Sequence, residues 1–150
     1  YLVKTTLSQS GDANKADGMD LSLLILDRQN MSLQFSGAYN HLYLVRDKEL
    51  HMTRANRMPI GHYVGKEEPF TCHDIDIQAG DVFYIFSDGF ADQFDHTSSH
   101  KFGTKRLKQE LVDIHTHEMD RQKSYLENLF EQWRGDHWQL DDVLIIGGKI

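Results

Sequence analysis

The chain has 150 residues, 39% of them hydrophobic and 11% aromatic, with only 2 prolines. Such a chain buries roughly two-thirds of its unfolded surface, and the composition excludes the disordered and fibrous classes. Lys and Arg number 16 against 23 Asp and Glu, for a formal charge of -7, and the basic residues are scattered rather than gathered into a stripe. Nucleic acid and direct membrane contact are therefore excluded as expectations on electrostatic grounds.

The single cysteine, Cys72, has no partner for an internal disulfide and completes no zinc spacing, which fits a reducing, cytoplasmic compartment. The longest apolar runs, 21–26 and 82–86, are too short to span a bilayer, and no signal-peptide pattern opens the chain. The opening at Tyr1, with neither a methionine nor a polar leader, reads as an excised piece of something longer.

In chain order, residues 1–7 carry no clear pattern and 8–15 form a polar run with loop chemistry. Residues 21–26 read as a strand, Asp27-Arg28-Gln29-Asn30 as a turn, and the alternation of Met31, Leu33 and Phe35 with Ser32, Gln34 and Ser36 as a second, half-buried strand. Two such strands joined by four polar residues make a hairpin. A third strand runs over 41–46 and turns at Asp47-Lys48-Glu49, and a fourth lies around 50–53. Pro59, Gly61 and Gly65 punctuate a loop that lasts to about Phe70.

Residues 73–77 alternate again, and 82–86 form an unbroken run of β-branched and aromatic residues that suits a strand covered on both faces. Two helices follow. Leu107, Leu111 and Ile114 recur at helical spacing behind Thr104 as N-cap; Leu126, Leu129, Phe130 and Trp133 do so between Asp120 as cap and Gly135 as stop. A closing strand over 143–146 ends in Gly147-Gly148. The expectation is one α+β domain over residues 1–150, built from antiparallel strands with helices layered on them.

Two carboxylate positions stand out. Asp88 directly follows the most apolar strand and precedes Gly89, which lets backbone or ligand approach closely; Asp141-Asp142 leads into the closing strand, where adjacent acids repel unless a cation or solvent relieves them. Both supply hard oxygen ligands at strand ends, the kind that Mg²⁺ or Mn²⁺ takes with several waters retained. Alone, each also has an ordinary reading, as a turn and as a solvated strand end.

The neighbouring motifs are more specific. Asp17-Gly18-Met19-Asp20, Ser36-Gly37-Ala38-Tyr39-Asn40, Met58-Pro59-Ile60-Gly61, Gln78-Ala79-Gly80-Asp81, Ser87-Asp88-Gly89-Phe90-Ala91-Asp92-Gln93-Phe94 and Gln139-Leu140-Asp141-Asp142-Val143 occur in one order. In this the chain resembles the C-terminal half of a PPM-type metal-dependent serine/threonine phosphatase of the bacterial SpoIIE-like branch, the modules fused behind sensor regions in signalling proteins.

The resemblance implies an antiparallel β-sandwich flanked by helices, with the N-terminal part of the fold missing. It implies a two-metal Mg²⁺ or Mn²⁺ centre that dephosphorylates phosphoserine or phosphothreonine. Asp88 and Asp141 would be metal ligands, with Gly89 and Asp142 beside them and no catalytic residue beyond the ligands. It further implies a phosphoprotein substrate, an anti-sigma-factor antagonist being one such, and a place in the cytoplasm, as the cytoplasmic domain of a membrane-bound sensor where the parent protein is one.

An earlier Gly-Asp strand and an Asp-x-x-Gly-His-Gly type motif belong to the family pattern and do not occur here; Gly11-Asp12 sits in a polar loop and is not taken for them. The isolated chain is accordingly expected to be inactive, and a non-catalytic regulatory module on the same fold is the alternative. An uncovered sheet edge would favour a homodimer. His115 and His117 read as solvated, Cys72 as structural, and the stripe of Leu126, Leu129, Phe130 and Trp133 as core.

Overall fold

The computed structural model describes residues 18–66, 68–97 and 99–150. The opening residues 1–7, the polar run 8–15, Gly11-Asp12 and Asp17 lie outside them. The described residues fall into two compact units, one running to Leu42 and resuming over Met52–Gln78, the other comprising Tyr43–His51 and Ala79–Ile150.

In the first unit, β1 (Gly18–Met19) pairs with β6 (Ile60–Gly61). A three-stranded antiparallel sheet has the order β2 (Leu21–Asp27), β3 (Ser32–Ala38), β7 (His73–Asp76). The expected hairpin is present. The Asp27 carboxylate closes its turn by accepting from the Gln29 and Asn30 backbone N–H groups, each at 3.0 Å, and the Asn30 bonds hold that carboxyl below the usual range. Met31 is not a strand residue: it completes the turn at φ 49°, and the strand starts at Ser32. Leu33 and Phe35 are wholly buried, so the alternation set the face correctly.

The second unit carries most of a four-stranded sheet of order β5 (Glu49–Thr53), β4 (Leu42–Arg46), β8 (Val82–Phe86), β9 (Ile145–Lys149). β8 is an inner strand, antiparallel to both β4 and β9. One face of it, through Val82 and Tyr84, is buried, whereas Phe83 and Ile85 are half-buried, so coverage is complete on one face only.

Three helices belong to this unit: α1 (Gly89–Asp92), α2 (Thr104–Ile114) and α3 (Met119–Arg134). The short α1 had no sequence signal. Its four residues are too few for a periodicity to register. Thr104 and Asp120 are not caps. Gly103, at φ 88°, precedes the first turn of α2, and Glu118 precedes that of α3, so both residues lie inside the helices they were expected to cap. Gly135, at φ 57°, stops α3 as expected.

The core of this unit gathers Val82 and Tyr84 with Leu107, Leu111, Ile114, Leu126 and Phe130, and Leu129 and Trp133 pack against it from α3. Phe102 stands edge-on to both Phe90 and Trp133, at 5.0 and 5.3 Å between ring centres. The Tyr84 hydroxyl donates to Gln122 Oε1, and Gln122 Nε2 donates to the His115 and His117 carbonyls, tying α3 to the end of α2. Burial pushes the Tyr84 phenol far above its ordinary range. His115 is buried rather than solvated, its Nδ1 against the Val112 carbonyl and its own carbonyl met by Gln122 of α3, which packs over this end of α2. Cys72 is exposed.

The closing strand begins two residues later than expected and contains Gly147-Gly148 instead of ending at them. The aromatic rings of β8 account for the glycines inside the strand. A Cβ on Gly148 would lie 2.4 Å from Phe83 Cζ, and one on Gly147 3.0 Å from Tyr84 Cδ1. Among the described residues no helix is long and apolar enough to cross a membrane.

Arg46, at the end of β4, forks onto Asp81 just before β8, with Nε–Oδ1 2.9 Å and Nη2–Oδ2 2.6 Å, and the Asp81 side chain is 1% exposed. Asp81→Ala removes both acceptors from a guanidinium at the sheet margin. A loss of about 2–4 kcal/mol is expected, read as a lower urea midpoint at unchanged m-value.

Candidate functional site

β8 delivers Ser87 and Asp88 at its C-terminal end, and the segment 136–144 delivers Asp141 and Asp142 at the N-terminal end of β9. Because the two strands are antiparallel neighbours, with Phe86 opposite Ile145, these ends coincide. The Ser87 amide extends the ladder by one bond, donating to the Leu144 carbonyl at 3.0 Å.

Side chains fasten the junction further. Ser87 Oγ donates to the Asp142 carbonyl at 2.8 Å, across 55 positions of chain, and accepts from the Leu144 amide at 3.0 Å. Gly89 lies so close that an added Cβ would be 2.4 Å from the Asp142 carbonyl oxygen. A glycine is needed here for close approach. Asp88 precedes the first turn of α1 without capping it through its side chain, and it is exposed. Asp141 and Asp142 are exposed as well; Asp141 Oδ1 accepts from the Asp142 amide at 2.7 Å.

Gln93, at the other end of α1, is 1% exposed. Its Nε2 donates to the Trp138 carbonyl at 3.2 Å and its Oε1 accepts from the Leu140 amide at 3.0 Å. Its own carbonyl accepts from the Phe102 amide and from the Trp133 indole N–H. Sequence reasoning took Ser87 and Gln93 only as letters of a motif. The one available signal was an amide set among Phe90, Ala91 and Phe94, where a polar side chain must find partners.

The structure thus brings together the backbones that carry Asp88, Gly89, Asp141 and Asp142. Asp142 enters the junction through its carbonyl, not its carboxylate. Among the described residues no three His, Cys, Asp or Glu side chains gather as a metal-holding group. Two exposed carboxylates on one backbone junction, with glycine allowing close approach, nevertheless match Mg²⁺, which commonly takes one or two carboxylates and keeps several waters. A cavity of about 600 Å³ lies between α3 and β9, lined by Met119, Leu126 and Val143 among others, and neither Asp88 nor Asp141 borders it. The acidic site is open surface. Gly89→Ala is expected to force the Asp141–Asp142 backbone away, costing about 1–3 kcal/mol, with amide shifts in an ¹⁵N spectrum concentrated at Asp141, Asp142 and Leu144.

Comparison with known proteins bears on this arrangement. A family model described as Stage II sporulation protein E (SpoIIE) matches residues 3–149. No curated protein is significantly similar to the chain. Among solved structures, the SiaA-PP2C domain of Pseudomonas aeruginosa is similar at 25% identity and a TM-score of 0.84, over 98% of this chain and 57% of that one. The phosphatase domain of the cell fate determinant SpoIIE from Bacillus subtilis is similar in fold at 17% identity and a TM-score of 0.66, over 99% and 63%. The Mycobacterium tuberculosis serine/threonine phosphatase PstP/Ppp is similar in fold at 16% identity and a TM-score of 0.66, over 99% and 66%. The chain therefore spans less than two-thirds of each of these structures. Its α+β fold is that of PP2C-type phosphatase domains, and with the match running through almost all of its residues the chain belongs to the SpoIIE family.

Proposed function

We propose that this chain is the C-terminal portion of a metal-dependent phosphatase domain acting on phosphoserine or phosphothreonine of a bacterial signalling protein. The observation that carries the reading is the junction of the Asp88 and Asp141 segments, fastened by the Ser87 hydroxyl to the Asp142 carbonyl at 2.8 Å. Membership of the SpoIIE family supports it, as does the likeness to solved phosphatase domains.

In this reading Asp88 and Asp141 hold Mg²⁺ or Mn²⁺, and Gly89 and Asp142 shape the backbone between them. Two such ions, when bound, acidify an attacking water and neutralise the phosphoryl oxygens. The chain's own contribution is to present two hard oxygen donors from strand ends fixed by the β8–β9 ladder, so that little rearrangement accompanies binding. The remaining ligands come from outside the described residues. The substrate is a phosphoprotein of a sensory or partner-switching pathway, for instance an anti-sigma-factor antagonist, in the cytoplasm. The exposed sheet margins leave room for pairing with a second copy.

The 150-residue chain alone is expected to hydrolyse p-nitrophenyl phosphate or a phosphoserine peptide negligibly with Mn²⁺. A chain extended upstream by about 70 to 100 residues, on the usual scale of domain sizes, is expected to be active. In that longer chain Asp88→Asn and Asp141→Asn should each lower turnover by orders of magnitude while the circular dichroism spectrum is unchanged. An extended wild type that stays inert with Mn²⁺ on several phosphopeptides would replace this reading with that of a regulatory module.

A further inference from the structure

We infer that Ser87 and Gln93 act as a matched pair of positioning residues which together set the backbone carrying the two acidic groups. The inference rests on the metal-site reading of Asp88 and Asp141 above and assigns it two residues that touch neither metal nor substrate. The four-residue α1 is bracketed by them. Asp88 and Gly89 lie just inside one bracket, and Asp141 lies between the backbone groups that the two side chains grip.

The pattern of bonds is reciprocal. Each side chain both donates to a carbonyl and accepts from an amide of the opposing segment: Ser87 at the Asp142 carbonyl and Leu144 amide, Gln93 at the Trp138 carbonyl and Leu140 amide. Asp141 belongs to a stretch with no ladder bond of its own, since β9 begins only at Ile145. Without the clamps its peptide plane would be set by water and by two local bonds, from Gln139 Nε2 to the Asp141 carbonyl and from the Asp142 amide to the Asp141 carboxylate. One donor–acceptor pair at each end leaves a segment of this length few conformations. Ordering the donors before a cation arrives removes an entropic cost from binding.

Gln93 is anchored from behind as well. Its carbonyl accepts from Phe102 and Trp133, so its position is tied to the aromatic core of this unit, and its burial keeps water from competing for Trp138 and Leu140. Residues that orient ligand-bearing groups from behind typically change metal affinity by 10- to 100-fold on substitution. A purely structural role would lower stability without that selective effect.

The test is a Mn²⁺ titration of the 150-residue chain followed by paramagnetic broadening of amide resonances, which reads weak binding and needs no turnover. In the wild type, broadening is expected to centre on Asp88, Gly89, Asp141 and Asp142. Ser87→Ala and Gln93→Glu should each need about 10- to 100-fold more Mn²⁺ for equal broadening, and Ser87→Thr, which keeps the hydroxyl, should stay near wild type. Amide exchange should quicken at Leu144 in Ser87→Ala. Gln93→Glu keeps an acceptor for the Leu140 amide but loses the donor to the Trp138 carbonyl, so its amide shifts should centre on the Trp138–Gln139 peptide, with β4 and β8 amides still protected in both. Ser87 is half-exposed, so Ser87→Ala carries the test if the buried Gln93→Glu does not fold. Wild-type Mn²⁺ response in Ser87→Ala, alongside a lost response in Asp88→Asn, would overturn this inference and leave the metal site standing. A wild type that responds no more than Asp88→Asn would overturn the metal-site reading and this inference with it.

Discussion

The antiparallel pairing of β8 with β9 is the constraint on which the candidate site depends. An antiparallel ladder puts the C-terminal end of one strand beside the N-terminal end of its neighbour, and here those two ends carry Ser87-Asp88 and Asp141-Asp142. Shifting the register by one residue would send Tyr84 out of the core and slide Asp88 along the opposing backbone. The same pairing explains the glycines. Gly147 and Gly148 lie against the rings of Tyr84 and Phe83, and Gly89 lies against the Asp142 carbonyl, so each is a place where β8 or its continuation meets the opposing segment closely.

Around that ladder, polar groups inside the core do the orienting that apolar packing leaves open. Leu107, Leu111, Leu126 and Phe130 fill volume, and many arrangements of such side chains are close in energy. Gln122 restricts them by joining the Tyr84 hydroxyl to the carbonyls at the end of α2. Gln93 does the same beneath α1, with its side-chain amide and its main chain all engaged. A buried amide left half satisfied costs more than an apolar residue would, so a satisfied one selects a single packing. Both amides sit directly behind a loop or helix end, where an apolar core has least control over the backbone.

The electrostatics of the surface are weighted toward local hydrogen bonding. Asp27 and Asp95 are held low by nearby backbone N–H groups, those of Asn30 and Ser99 respectively, and each closes a turn. Asp88 and Asp141 differ from them in kind. Asp88 caps nothing through its side chain, and Asp141 closes only a bond to the next residue. Carboxylates at strand ends that are not spent on their own turns are the ones with oxygen lone pairs to offer an incoming cation.

Much of this was legible in the amino-acid order. Period-two alternation located β3 and its buried Leu33 and Phe35, the unbroken apolar run located β8, and helical spacing located α2 and α3, because each pattern reports which side faces a core. The ordered motifs also marked Asp88 and Asp141 as acids worth following. The sequence by itself could not say that β9 starts at Ile145 and runs through two glycines, that Gly103 and Glu118 rather than Thr104 and Asp120 precede the helices, or that His115 is buried. Those outcomes depend on partners elsewhere in the chain: Phe83 and Tyr84 for the glycines, and Gln122 of α3 for His115. Ser87 and Gln93 belong with them. Local pattern records whether a residue is apolar and at what interval, whereas a clamp is made when one side chain meets the backbone of a segment some fifty positions away, and only the tertiary structure brings that segment within hydrogen-bonding distance.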